Sequence, residues 1–317
     1  MATILKSDDL RVVDRTLRAA FLTSYNSKES YTPRWPLVAT RQTSDGKGNI
    51  YPLAIDAAAI REWSEGERVK NGLVIESARV DNVTFELTYS VKADDFNDDL
   101  SGSTRQLVSR LRSGAGKFQR HPDKLMSNVL KSNTVCLDGL ALFHASHPID
   151  PTNVAAGTYG NTDTGALTMG NVVATRALML DFKGADGDPV NEDPKILMVP
   201  SALEGTARKI AGADKLVYSA TLTDSPESNV WVGQFTVIVN PYLSAAHGGS
   251  DTAWYLIDST DSEDRALIYQ VRQEPEIVTR FNPADPGVFD LNLYTWGAKA
   301  RHAVAGGNPR RIYRRTG

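Results

Sequence analysis

The side chains best suited to chemistry crowd into one stretch, CLDGLALFHASHP, where Cys136, Asp138, His144 and His147 fall within twelve residues. A thiol, a carboxylate and two imidazoles are metal-ligand types, but their spacing matches no usual zinc pattern. The competing expectation is a strand end and a loop held by imidazole hydrogen bonds. A hydrolase working through His144 or His147 is the enzymatic alternative. Against it, the chain lacks G-x-S-x-G and groups no Ser, His and Asp by sequence. Phosphate cradles are left incomplete: Gly46-Lys47-Gly48 runs into Asn49, and Gly116-Lys117 runs into Phe118. Asp186-Gly187-Asp188 resembles a calcium loop only locally. With Gly187 at the sixth position, Phe182 and Gly184 take places that need oxygen ligands. The expectation is therefore a protein that is not an enzyme, with no catalytic, cofactor-binding or metal residues.

These residues follow a long element that must position them. From Phe96 to Asn133, Leu107, Leu111, Phe118, Leu125, Val129 and Leu130 recur at helical spacing among Arg, Ser, Lys, Gln and Asp. Asp98, Asp99, Ser101, Ser103 and Thr104 look like start signals, acidic and hydroxyl groups suited to the first-turn amides. Gly114 and Gly116 weaken the middle. Pro122 is expected to kink or restart the helix at His121, with Asp123 in the new first turn, giving two pieces. The acidic run Asp94, Asp95, Asp98 and Asp99 reads as helix-start and solvated residues rather than metal ligands.

Before this strut, Leu10, Val13, Leu17 and Phe21 predict a helix over 7–25, followed by an extended arm containing Pro33, Trp35 and Pro36. Residues 41–99 are poor in large apolar side chains and cannot build their own core. Within them, 73–78 reads as a strand, 56–63 as a short helix, and Val83, Phe85, Leu87, Tyr89 and Val91 alternate with polar residues as a strand with one covered face does. After the strut, 136–153 reads as an apolar strand ending in a loop and 168–182 as a helix. Residues 196–199 read as a buried strand, and 201–211 as a helix whose Ser201 and Glu204 could form a capping box. Strand patterns return at 233–239 and 254–257. The segments 266–281 and 287–304, separated by the turn signal NPADP, resemble a long antiparallel hairpin. The fold class is α+β. Arg310, Arg311, Arg314 and Arg315 form a basic tail around Tyr313, suited to phosphates or to an acidic neighbour.

Composition narrows the possibilities. The 317 residues, 41% hydrophobic and 23% charged, match an ordinary soluble globular chain of about two domains. A net charge of -3 argues against a protein whose main task is gripping nucleic acid. The single cysteine excludes an internal disulfide and suggests a reducing, intracellular origin. MATILKSDDLRVV, with no long apolar run after a basic start, predicts neither signal peptide nor membrane anchor.

Several blocks, taken in order, resemble one family, the major head subunit of Mu-like phages and prophages, a branch of the Hong Kong 97-type capsid proteins. They are Arg61-Glu62-Trp63 with Gly66-Glu67-Arg68; Phe85-Glu86 leading to Asp94-Asp95-Phe96-Asn97-Asp98-Asp99; Arg120-His121-Pro122-Asp123; and Asp138-Gly139 with Phe143 and His147-Pro148. Val199 to Glu204, Asn240-Pro241-Tyr242-Leu243, Trp254-Tyr255-Leu256 and Tyr294 to Arg301 continue the likeness. Leu137 and Leu140 depart from the polar residues expected beside Asp138-Gly139. The resemblance implies an N-terminal arm (1–40), an extended loop (41–99), a peripheral domain with a spine helix (100–183), an axial domain (184–258), and closing peripheral strands with a C-terminal tail (259–317).

It also implies a major capsid protein that assembles as hexamers and pentamers into an icosahedral shell around phage double-stranded DNA, held by weak non-specific contact. The protein would be built in the host cytoplasm, reside in the virion and touch no membrane. A portal, a separate scaffold protein and a decoration protein are the implied partners, and Lys47 and Lys70 the candidates for any covalent cross-link. An encapsulin-type compartment shell is the alternative within the same fold.

Overall fold

The computed structural model describes residues 7–27, 31–55, 74–98, 102–151, 153–212, 215–216, 227–282 and 284–317. Helix α1 (Ser7–Asn26) leads into strands β1 (Ala39–Thr43), β2 (Gly48–Ile55), β3 (Val74–Asp81) and β4 (Val83–Lys92), then helices α2 (Ala93–Asn97) and α3 (Ser103–Ser132). The middle of the chain holds β5 (His147–Pro148), β6 (Thr158–Tyr159), β7 (Thr162–Thr164), α4 (Met169–Leu180), β8 (Ile196–Val199) and α5 (Glu204–Gly212). The rest comprises β9 (Lys215–Leu216), β10 (Glu227–Ser228), β11 (Thr236–Val239), β12 (Ala253–Ile257), β13 (Leu267–Arg280), α6 (Pro286–Leu291), β14 (Leu293–Gly306) and β15 (Ile312–Thr316).

Two sheets organise these elements, and α3 bridges them. The first has the order β1-β13-β14-β4. Its centre is the long antiparallel pair β13–β14, flanked by β4 antiparallel to β14 and β1 parallel to β13. Leu107 and Leu111 of α3 pack with Leu10 and Leu17 of α1 and with Trp296 of β14, while Phe118 joins Phe21, Ile277 and Ala298. The second sheet, β11-β8-β12-β15-β7, takes the far end of α3: Met126, Val129 and Leu130 share a cluster with Ile196, Met198, Tyr255 and Ile257. The other face of that sheet is covered by α4 and α5 through Val172, Met179, Ala207 and Ile210 around Trp254. Covered on both faces, β8 and β12 are buried at every residue, as continuous apolar runs require. This sheet crosses the expected boundaries at 183 and 258, drawing β7 from before the first and β15 from the chain's end.

Several local readings are corrected. The Phe96–Asn133 stretch is not two pieces of helix with acidic caps. Asp94 and Asp95 sit in the first turn of the separate helix α2, and α3 begins after Gly102, whose left-handed φ of 62° makes the break between them. Helix α3 then runs through Pro122 without interruption for 30 residues. A mid-helix proline costs about 3 kcal/mol. Burial of Phe118 on one side and of Met126, Val129 and Leu130 on the other outweighs it. Gly114 is a packing residue: a Cβ there would lie 2.8 Å from Leu87 Cδ2, so its absence lets α3 lie close on β4. The expected capping box is absent, because Pro200 precedes a 3₁₀ turn at Ser201–Leu203 and Glu204 opens α5, pairing with Arg208 at 2.8 Å. Residues 136–146 form turns, with Val135 and Ala141 bridged, rather than a strand. Of the 41–99 segment, β4 belongs to the first sheet and β2–β3 form a two-stranded hairpin, while the helix expected at 56–63, Trp63 and Lys70 lie outside the described residues.

Candidate assembly surfaces

The thiol, carboxylate and imidazole do converge. Cys136, Asp138 and His147 place their ligand-type atoms within 4.8 Å of one another. Asp138 is the centre: Cys136 Sγ donates to its Oδ1 at 2.9 Å, and His147 Nδ1 lies 2.5 Å from its Oδ2. Burial, reinforced by the bond to Asp138, pushes the Cys136 thiol well up. Burial opposes ionisation of Asp138 as well, but hydrogen bonds from His147 and Cys136 carry its carboxyl below the usual range. The thiol faces the carboxylate rather than an imidazole, so the nucleophile–base contact of a thiol hydrolase is not made in this cluster. His147 is fully buried and stacked on Tyr159, while His144 packs edge-on against the His147 ring at 5.7 Å and accepts from the Ser146 amide. The arrangement acts as a hydrogen-bonded corner between the end of α3 and β5–β6.

The basic run at the C-terminus is not a free tail. Arg314 and Arg315 lie in β15, with Arg314 over the Phe143 ring and Arg315 paired with Asp163 at 3.1 Å. Arg311 sits between Glu192 and Asp258, both at 2.7 Å and both buried, with Asp264 at 3.4 Å. Burial, with the Asp258 carboxylate next to it, raises the Glu192 carboxyl to about 8. These cations tie the last strand to its own chain.

Surfaces left unfinished lie elsewhere. No described residue of β2 or β3 belongs to any of the four apolar clusters, although Val80 of β3 is buried where the hairpin meets the body. A polar clamp holds its root: Tyr51 Oη donates to Gln270 Oε1 at 2.8 Å, and Gln270 Nε2 donates to Asn82 at 2.7 Å. Lys47 is exposed at the turn leading into it. Ile50 on the hairpin is 67% exposed, and Phe289 and Leu291, at the end of the β13–β14 pair, are 82% and 66% exposed.

Sequence reasoning missed the anchor of the arm. Asp123 is fully buried in α3, and its carboxylate accepts the amides of Arg34 (3.0 Å) and Trp35 (2.7 Å) and the hydroxyl of Tyr31. Gln119 Nε2 adds a bond to Ser27 O at 2.8 Å. Burial pushes the Asp123 carboxyl up against the pull of these bonds. The available signal was that Asp123 is the one carboxylate in a helix with seven Lys and Arg. Beside it, His121 Nδ1 meets His302 Nε2 at 2.8 Å, an imidazole pair joining α3 to β14; burial and the neighbouring ring hold His302 down to about 4.

Among the described residues no helix is long and apolar enough to cross a membrane. The family described as Mu-like prophage major head subunit gpT matches residues 10–166, 164–243 and 244–315. The major capsid protein of Escherichia phage Mu is 28% identical over 127 residues, which is 39% of this chain and 40% of that protein. The match thus spans under half of that relative. The procapsid of bacteriophage JBD30 superposes with a TM-score of 0.55 at 19% identity over 99% of this chain and 76% of that one. The capsid of a native GTA particle does so with a TM-score of 0.53 at 12% identity over 89% of each. At these identities the likeness is one of fold, the Hong Kong 97-type capsid fold.

Proposed function

Because the chain belongs to the Mu-like prophage major head subunit gpT family, we propose that it is the subunit of a phage head, assembling as hexamers and pentamers into a closed shell around double-stranded DNA. The family is a structural one, and no step of the proposal requires catalysis. The observation that carries it is the β2–β3 hairpin, whose described residues belong to no apolar cluster of the body, so that lying across a neighbour would supply the burial it lacks. The hairpin supplies contacts between subunits, the arm braces the spine helix of its own chain, and the unit built on the second sheet supplies contacts within a capsomer. Many small contacts of this kind, each weak, add up across a lattice. A scaffold protein, a portal and a decoration protein complete the proposed set of partners.

Electron microscopy of the purified, overexpressed chain tests the reading: closed particles of uniform size are expected. A monodisperse monomer by analytical ultracentrifugation across the micromolar range would count against it. Particles filled with a cargo enzyme in place of DNA would make the chain a compartment shell instead.

A further inference from the structure

Helix α3 separates charge more sharply than any other described element. It carries seven Lys and Arg against one carboxylate, so it is +6 in a chain of net charge -3, and everything outside it sums to -9. The lone carboxylate, Asp123, is buried beneath the arm, so the helix presents no acidic group to solvent. Its outer face lines an open groove of about 560 Å³, to which Lys117, Arg120, Lys124 and Lys131 contribute. The first three are exposed, and Lys131 is half-buried with its Nζ donating to His247 O at 2.7 Å. Spaced three, four and seven residues apart, these four share one helix face and run for about 21 Å at about 1.5 Å per residue. Glu86 is the one acidic residue at the groove; it accepts from Thr88 at 2.5 Å and stands opposite Lys299 in the β4–β14 register.

We propose that this basic stripe is a binding face for the phosphate backbone of double-stranded DNA, and that α3 turns it toward the lumen of the shell. The proposal rests on the head-subunit reading and adds the residues that meet the packaged duplex. A line of cations about one helical turn apart suits a linear polyanion, which carries a charge every 1.7 Å or so of its axis. An isolated acidic side chain would be served by one converging pocket instead. The negative remainder of the chain repels phosphates, so contact is confined to this face while net charge keeps it weak. Lysine and arginine contacts to phosphate carry no sequence information, so the expected binding is sequence-independent.

The test uses the full chain as unassembled subunits. Fluorescence anisotropy with a 30-base-pair duplex is measured from about 50 to 200 mM salt for wild type, for Lys117→Gln/Arg120→Gln/Lys124→Gln, and for the charge-retaining Lys117→Arg/Arg120→Lys/Lys124→Arg. Removing three phosphate contacts should make the slope of log K against log salt shallower by about 2 to 3, at about 0.9 per contact. The charge-retaining variant should keep the wild-type slope, which separates charge from folding. An unchanged slope in the glutamine variant overturns the proposal. So does equal, equally salt-sensitive binding of polyglutamate, which would identify an acidic protein segment as the occupant. Loss of particles by the glutamine variant with its duplex slope intact also overturns it, because the stripe would then be a contact between copies. Should wild type form no particles while the slope shifts as expected, the head-subunit reading fails and the phosphate-binding face stands.

Discussion

Replacing Asp123 with alanine should release the arm from the spine helix without unfolding the body. The carboxylate accepts two backbone amides, Arg34 N and Trp35 N, and the Tyr31 hydroxyl. A buried donor left without its acceptor costs about 1–3 kcal/mol. Tyr31, Arg34 and Trp35 are half-buried, so water reaches part of what is vacated, and removing a carboxylate that burial disfavours returns some free energy. The net loss is then about 2–4 kcal/mol, concentrated on the arm, since the apolar contacts of Phe118 and Met126 on either side are untouched. At about 1.4 kcal/mol per tenfold change, amide protection of a peptide covering 31–38 should fall about 30- to 1,000-fold, while peptides from β13 and β14 keep theirs. Hydrogen-exchange mass spectrometry reads both. Asp123→Asn retains one carbonyl acceptor and should fall between wild type and alanine. Unaltered protection of 31–38 in the alanine variant would refute the idea that this carboxylate anchors the arm.

Two further predictions concern pH and have opposite signs. The His302 imidazole is held down to about 4, below its unfolded value of about 6.5, so the unfolded chain binds the extra proton between these limits and stability is lost as pH falls from about 6.5 to about 4. The loss approaches about 3 kcal/mol at about 1.36 kcal/mol per unit, and urea unfolding of His302→Gln over that range should show a flatter profile; a profile as steep as wild type would sink it. The Glu192 carboxyl is raised to about 8, so its contribution is full below its unfolded value near 4.5 and disappears as pH rises through about 8. Glu192→Gln, which stays neutral and of similar size, should match wild type at pH 5 and exceed it in thermal stability at pH 8; equal melting temperatures at pH 8 would dismiss the raised carboxyl.

How far such a chain can be read from its residues depends on where the partners of each residue lie. The alternation from Phe85 to Val91 was legible because one face of β4 is partly covered and the other open, while Val83 at the strand's start is exposed despite fitting the pattern. The apolar stripe of α3 was legible for the same reason, and five of its six expected core residues are buried, with Leu125 half-buried. Its start was misread because the acidic start signal is spent on α2, whose first turn holds Asp94 and Asp95 and which Asp98 closes, and the left-handed Gly102 then precedes α3. The proline misled because the term that overrides it, packing against two sheets at once, is supplied by strands far along the chain.

The same distance explains the sites. The arginines of the C-terminus looked like a solvated tail because Asp163, Glu192, Asp258 and Asp264, which hold Arg311 and Arg315, come from earlier loops and strands. Asp123 looked like a helix-restart residue because the amides it accepts are 88 and 89 positions away. The cysteine–aspartate–histidine corner, confined to twelve residues, could be found from sequence, yet which atom faces which, the thiol and the imidazole both on the carboxylate, could not be read from residue types. A protein whose task is to fit copies of itself together therefore hides its working surfaces from motif reasoning. They consist of ordinary residues, such as the exposed Ile50 and Phe289, which belong to no motif and are distinguished only by the burial the single chain does not give them.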